Sequence, residues 1–353
     1  MSHALRLAEK GLYTTSPNPR VGCVIVNGGH VVGTGWHVRA GEPHAEIHAL
    51  QVAGEHARGA SVYVTLEPCS HYGRTPPCVE ALIRAGVARV IMAMSDPNPN
   101  VNGQGGRLLQ QAGIAVQAGL LAVEAETLNI GFATRMRHGR PWVRMKIAAS
   151  LDGKTALNNG ESQWITSEAA RRDGHTWRAR SCAVLTGIGS VKSDDPQLTV
   201  RHIETTRQPV RVVVDSRLEI PLQARLLQGN ALTWIFTAQT NAEKIHLLEN
   251  AGAQVFVIPN NAGRVDLTAL MTKLAKLEIN EVLVEAGSAL NGALVMDNLA
   301  DEIILYLAPS LLGDSAQGML AIPELSSLSG KYNLQLQDVR KIGVDLRIIG
   351  RFS

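Results

Sequence analysis

Apolar positions along the chain fall into short blocks, and their spacing switches repeatedly between helical and extended. Leu5, Ala8 and Leu12 recur at helical spacing over residues 4–13, and Pro17 and Pro19 end that helix because proline cannot continue it. Residues 21–26 and 31–36 read as two strands around a turn at Asn27, Gly28 and Gly29. Pro43 opens a helix carrying His44, Glu46 and His48; residues 61–66 form an alternating strand that stops just before Pro68 and Cys69. A helix over 78–85, strands at 89–94 and 114–117, a helix over 106–111 and another over 124–137 complete this half. A turn at 138–141 places a boundary near 140, which gives two domains, 1–140 and 141–353.

The second half continues the alternation. Strands at 142–150, 183–186, 211–214, 232–236, 255–258 and 282–285 are interleaved, in their later part, with helices at 242–250, 267–276 and 290–298. Strands that alternate with helices imply an α/β domain with a largely parallel sheet. Residues 302–307 and 344–351 add strands expected to run antiparallel at an edge, and 201–209 reads as a polar connector.

Composition narrows the class. At 353 residues and 45% hydrophobic content the chain can fill two cores, and with 4% aromatics those cores rest on Val, Ile, Leu and Ala. A net charge of +3 is too mild to indicate a nucleic-acid surface and suits a small anionic substrate. No apolar run reaches the ~18 residues of a membrane span, and the N-terminus lacks a signal-peptide core. The four cysteines, Cys23, Cys69, Cys78 and Cys182, give no disulfide framework, so a reducing, cytoplasmic setting is expected.

The candidate chemistry lies in His44-Ala45-Glu46 followed by Pro68-Cys69 and, after the eight-residue spacer 70–77, Cys78. One imidazole and two thiolates hold zinc and leave its fourth tetrahedral position open, where a water's pKa falls to about 7. Glu46 is then a carboxylate not required by the metal and free to shuttle protons, as hydrolytic removal of an amino group from a heterocycle needs. The order His-x-Glu then Pro-Cys is that of nucleobase deaminases, and the long spacer is expected to carry substrate specificity. Two rivals stand beside this reading. One is a deaminase acting on nucleic acid with the second half as a targeting module. The other is a non-catalytic zinc protein, which requires a fourth protein ligand such as His48, His71 or Cys23.

The stretches TSPNPRVGCVIV, GWHVRAGEPHAEIHAL, YVTLEPCSHYGRTPPC and SDPNPNVNGQG resemble the deaminase domain of bifunctional riboflavin-biosynthesis deaminase/reductases over nearly all of residues 1–120. The resemblance implies a cytidine-deaminase-like three-layer α/β fold, with zinc on His44, Cys69 and Cys78 and Glu46 moving protons. Its substrate would be a diamino-ribosylamino-pyrimidinone 5′-phosphate. Asn18 lies in the first of these motifs, and its amide can both donate to and accept from a pyrimidine edge. His71, Arg74 and Thr75 in the spacer are candidates for the ribose and phosphate.

In the second half no GxGxxG follows a strand, so the Rossmann fingerprint is absent. LVEAGSALNGAL instead joins a strand to a helix through small residues, which lets backbone approach a phosphate. MKIAASLDGKTA, GESQWITS, VLTGIGSVKSDDPQLTVR, RVVVDSR, VEAGSALNGAL and APSLLG are similar to the reductase domain of the same enzymes. That similarity implies a dihydrofolate-reductase-like α/β fold using NADPH. Position by position it places Ala148, Trp164, Ser190, Asp194, Ser216 and Gly287, Ser288, Ala289, Leu290, Asn291, Gly292 and Ala293 along the NADPH cleft. Ser162, Arg178, Leu198, Arg201 and Glu285 would hold the sugar phosphate; Lys154 is a candidate phosphate or carbonyl contact, and Arg217, beside Ser216, a candidate reader of the NADPH 2′-phosphate. The sequence marks no proton donor for the reduction, and homo-oligomerisation stays open.

Overall fold

The computed structural model describes residues 1–72, 76–99 and 101–353 and divides into two compact units, Met1–Arg140 and Pro141–Ser353. The first is built on a five-stranded sheet of β1 (Gly22–Asn27), β2 (His30–Trp36), β3 (Ser61–Leu66), β4 (Arg89–Met94) and β5 (Ala115–Ala118), in the order β2-β1-β3-β4-β5. β1 runs antiparallel to β2 and β3, whereas β3, β4 and β5 are parallel. Alternation along β1 separates two faces: Cys23 and Ile25 join the core with Ala45, Ala49, Val79, Leu82 and Leu109, while Val24 packs with Ala4 and Leu7 of the helix Ser2–Glu9. Helices therefore cover both faces of the sheet, in three layers.

Two glycines in β2 bring the helix Ala45–Ala53 unusually near. A Cβ on Gly33 would stand 2.3 Å from the Ala49 carbonyl oxygen, and one on Gly35 would stand 2.3 Å from that of Ala45. The same helix buries the small side chains Ala45, Ala49 and Ala53 in the core beneath the sheet. This fit fixes the helix start, where His44 and Glu46 sit. Gly35→Ala is expected to cost about 1–3 kcal/mol through overpacking and to weaken zinc binding as the helix is pushed away. Urea unfolding and a zinc titration check both; unchanged zinc affinity would show that this approach does not set the ligand's position.

The second unit carries β6 (Trp142–Ser150), β7 (Lys154–Ala156), β8 (Ala183–Gly187), β9 (Val210–Val214), β10 (Thr233–Thr237), β11 (Ala253–Val257), β12 (Glu281–Val284), β13 (Glu302–Ala308), β14 (Gln317–Gly318), β15 (Leu334–Ile342) and β16 (Asp345–Phe352). Nine of these form one sheet, β11-β10-β9-β8-β12-β6-β13-β16-β15, and β7 pairs with β14. The seven strands from β11 to β13 are parallel, and those inside the sheet are covered on both faces, which is why they read as mostly apolar runs. One face packs on the helices Leu267–Lys276 and Ser288–Met296, the other on Glu168–Arg180, Ile188–Asp194 and Ala242–Asn250.

Several expectations change. Residues 124–137 are two helices, Ala122–Leu128 and Ile130–His138, because buried Asn129 between them turns its amide to the backbone of Arg20. The first helix stops at Glu9. β13 lies inside the sheet, parallel to β6, and the antiparallel pairing begins only with β16. Glu168–Arg180, Ile188–Asp194 and β15 had no counterpart in the sequence reading.

Candidate active sites

In the first unit, His44 Nδ1 and the Sγ atoms of Cys69 and Cys78 all lie within 4.8 Å of one another. Each comes from the edge of a different element. His44 is the N-cap of Ala45–Ala53, Cys69 follows β3, and Cys78 opens the helix Cys78–Arg84. The Cys78 backbone N–H donates to Cys69 Sγ at 3.3 Å, and the Val79 N–H donates to the Cys69 carbonyl at 3.3 Å. The spacer thus leaves and returns at a two-bond clamp, so its length does not disturb the sulfurs. Glu67 anchors the other side: its buried carboxylate accepts from the N–H groups of Asp96, Gly103 and Gly106 at 3.0, 2.9 and 3.2 Å.

Electrostatics fit a divalent metal. A hydrogen bond from the Cys78 thiol takes Cys69 down to about 4, and the same bond pushes Cys78 up, so one proton is shared between two sulfurs. A metal replaces that proton. Glu46 is 3% exposed, and burial followed by the neighbouring Cys69 raises its carboxyl to about 7. Its Oε2 is buried without a hydrogen-bond partner. Such an oxygen is costly unless something polar comes to it, which suits three protein ligands with a free carboxylate alongside. Among the described residues, His48, Cys23 and His71 do not join the cluster: Cys23 is buried within β1 and His71 is exposed. Arg74 and Thr75 lie outside the described residues.

Asn18 reaches this centre through a residue the sequence reading left without a role. Its Nδ2 lies 3.0 Å from His37 Nε2, His37 Nδ1 lies 3.2 Å from the Pro43 carbonyl, and the His37 ring meets the His44 ring edge-on at 5.3 Å. The carbonyl can only accept, so Nδ1 carries the proton and Nε2 accepts from the Asn18 amide. Burial holds His37 neutral by lowering its pKa. The Asn18 Oδ1 is left to accept from a ligand.

In the second unit the expected cofactor residues gather at the carboxyl ends of adjacent parallel strands. Ala148 lies in β6, Ser190 in the helix after β8, Ser216 just past β9, and Gly287 just past β12. Open α/β sheets bind ligands at these ends. Gly287 caps the nine-residue helix Ser288–Met296 with no side-chain cap, and a Cβ there would meet nothing within 4 Å. Asn291 Oδ1 is buried without a partner, and Gly292 meets Ala321 backbone so closely that a Cβ would lie 2.2 Å from its oxygen. Uncapped N–H groups beside open space suit a cofactor phosphate. Trp164 is exposed with the Arg171 guanidinium 4.5 Å above its ring; Asp194 is exposed; Ser216 Oγ accepts from the Val265 N–H at 3.0 Å. Arg217 pairs with Glu219 at 2.9 Å, and Lys154 donates to the Asp314 carbonyl at 3.2 Å.

Of the expected sugar-phosphate residues, Arg178 and Glu285 form a two-pronged pair, Nε to Oε1 at 2.6 Å and Nη2 to Oε2 at 2.9 Å. Arg178 and then Lys146, 3.6 Å from Oε2, hold the part-buried Glu285 carboxyl far below its ordinary value. Leu198 is buried with φ +52°, and the part-buried Ser162 lies in the loop before Trp164. Lys146 had no place in the sequence reading; its position in a motif strand two residues before Ala148 was the available signal.

Residues 1–94 match the cytidine and deoxycytidylate deaminase zinc-binding region, and residues 141–348 match the RibD C-terminal domain. The riboflavin biosynthesis protein RibD of Escherichia coli is 50% identical, covering 99% of this chain and 98% of that protein; RibD of Haemophilus influenzae is 45% identical over 99% and 95%. Among solved structures, Acinetobacter baumannii RibD superposes with a TM-score of 0.93 at 44% identity, covering 100% of this chain and 97% of that one. A Thermotoga maritima diaminohydroxyphosphoribosylaminopyrimidine deaminase/5-amino-6-(5-phosphoribosylamino)uracil reductase gives 0.89 at 33% identity over the same shares.

Proposed function

This chain belongs to the RibD family of bifunctional riboflavin-biosynthesis enzymes, and on that premise we propose a two-step conversion by its two units. The first deaminates 2,5-diamino-6-ribosylamino-4(3H)-pyrimidinone 5′-phosphate, and the second reduces the ribosyl group to ribityl, giving 5-amino-6-ribitylaminouracil 5′-phosphate. The observation that carries the first step is the convergence of one imidazole and two sulfurs beside a buried carboxylate with a free oxygen.

His44, Cys69 and Cys78 would hold zinc, which when bound lowers the pKa of water to about 7. Glu46 Oε2, with no competing partner, takes a proton from the attacking water and delivers it to the amine that leaves as ammonia. Asn18, whose Nδ2 is engaged by His37, accepts from the pyrimidine edge through Oδ1.

For the second step, Ala148, Trp164, Ser190, Asp194, Ser216 and Gly287 to Ala293 would hold NADPH, which supplies a hydride when bound. Ser162, Arg178, Leu198, Arg201 and Glu285 hold the sugar phosphate, with the ribosyl C1′ as the atom reduced. The part-buried pair with Arg178 keeps Glu285 ionised, as an acceptor for ribose hydroxyls. Positioning supplies much of the rate. Water then completes the proton transfer.

The substrate is a small phosphorylated pyrimidine, with neither nucleic acid nor membrane as partner. No helix among the described residues is long and apolar enough to cross a membrane, and the thiols assigned to zinc, Cys69 and Cys78, suit a reducing, cytoplasmic location. Incubating zinc-loaded protein with the pyrimidinone phosphate while following ammonia and NADPH tests the reading. Ammonia release followed by NADPH oxidation is expected; ammonia without NADPH oxidation would overturn the second step, and no ammonia the first.

A further inference from the structure

One buried imidazole stands among the residues assigned to the sugar phosphate without being one of them. His175 lies on the helix Glu168–Arg180 three residues before Arg178, so the two side chains leave neighbouring positions on one face. It is 6% exposed, and its Nδ1 accepts from the backbone N–H of Arg201 at 3.0 Å. A ring nitrogen that accepts carries no proton, so the imidazole is neutral with its hydrogen on Nε2. Burial, then the Arg178 and Arg201 charges, hold its pKa down to about 4, which preserves that state at neutral pH.

The same helix grips the segment a second time. Arg178 Nη1 donates to the Thr199 carbonyl at 3.0 Å, one residue past Leu198 with its left-handed backbone. Thr199 O and Arg201 N are therefore both fixed to one rigid element, and the segment from Leu198 to Arg201 is strapped between them. The Arg201 guanidinium has only neutral acceptors at contact distance among the described residues, Gln197 Oε1 and Thr199 Oγ1, each at 3.3 Å. Arg178 repels it. A cation held in place by its backbone and lacking a carboxylate partner is set for an anion.

We propose that His175 is a positioning residue that sets Arg201 for the substrate phosphate by holding its backbone N–H, an inference that rests on the assignment of Arg201 to that phosphate. An asparagine at this position places its amide oxygen where Nδ1 stands and keeps the bond. Glutamine carries its oxygen farther out, toward the place of Nε2, and loses it. Both are polar and smaller than the imidazole, so the pair separates the bond from general packing.

The test uses the full-length protein as His175→Asn, His175→Gln, Arg201→Ala and the double variant His175→Gln/Arg201→Ala, assayed for reduction of the ribosylaminouracil phosphate at saturating NADPH. Thermal unfolding and the KM for NADPH are followed alongside. His175→Asn is expected within about twofold of the parent, and His175→Gln to raise the substrate KM about tenfold at unchanged kcat. Arg201→Ala raises KM further, and adding His175→Gln to it changes little, because the two act as one unit. Equal behaviour of Asn and Gln, or a Gln effect that multiplies in full on Arg201→Ala, overturns the proposal. If Arg201→Ala itself leaves KM unchanged, the phosphate assignment falls first and the strap with it.

Discussion

Glu46→Gln leaves zinc bound in full and slows deamination by about 10²–10⁴-fold, the range by which positioned proton transfer accelerates reactions. The geometry separates the two properties. The atoms that converge as a candidate metal site are His44 Nδ1 and two sulfurs, and Glu46 is not among them. The carboxylate is buried with Oε2 unsatisfied, so an amide of the same shape fits the space and removes a group that burial already disfavours in its charged form. The fold should be no less stable. The amide can neither take a proton from water nor give one to the departing amine. Metal content by atomic absorption, ammonia release, and NADPH oxidation with the uracil intermediate supplied directly give three independent readouts. Loss of zinc together with activity would make Glu46 a ligand and contradict its assigned role.

Glu281→Ala is expected to destabilise the second unit by about 3–5 kcal/mol, the cost of removing one partner from a buried ion cluster. Arg144 in β6 is 2% exposed and bonds two carboxylates, Glu281 in β12 through Nη1 and Glu302 in β13 through Nε at 2.7 Å. Arg180 reaches Glu281 at 3.1 Å, and Arg351 reaches Glu302 at 3.5 Å. Deleting Glu281 leaves Glu302 as the carboxylate facing a fully desolvated guanidinium, and the site is too enclosed for water to replace what is lost. Four of the five tryptophans, Trp142, Trp164, Trp177 and Trp234, lie in this unit, so fluorescence-detected urea unfolding reports on it. An Arg172→Ala control on the exposed pair with Glu168 should show no measurable change. A loss below about 1 kcal/mol for Glu281→Ala would mean the cluster is solvated in solution, contrary to its burial.

The parts of this molecule legible from sequence are those where chemistry or burial leaves a dense local signal. His44, Glu46, Cys69 and Cys78 are recognisable because zinc chemistry tolerates few residue types and the order of those types is distinctive. The buried parallel strands announce themselves as runs of Val, Ile and Leu. Glu168–Arg180 shows the opposite case. Its buried positions are Ala170, Gly174, His175 and Ala179, small or polar residues that carry almost no hydrophobic periodicity. β15 is exposed at nearly every position, so neither a core-facing stripe nor an apolar run marks it. Asn129 and His37 act by turning a polar side chain onto distant backbone or onto another side chain, Arg20 in one case and Pro43 with Asn18 in the other. Such partners, set by the fold, have no signature in local spacing. Within the candidate metal site the three converging side chains were readable and the clamp at the ends of the spacer was not, because the Cys78 N–H and the Cys69 sulfur meet only once the loop closes.

The place of β6 in its sheet also sets an order in time. The first unit pairs each of its strands with partners made within the first 118 residues, and its neighbours along the sheet are near neighbours along the chain. β6 is the earliest strand of the second unit, yet its two neighbours are β12, residues 281–284, and β13, residues 302–308. As the ribosome delivers the chain, Met1–Arg140 has all its own partners at hand while β6 has neither. The buried Arg144 at its start meets both of its carboxylates only when most of the remaining polypeptide has been made.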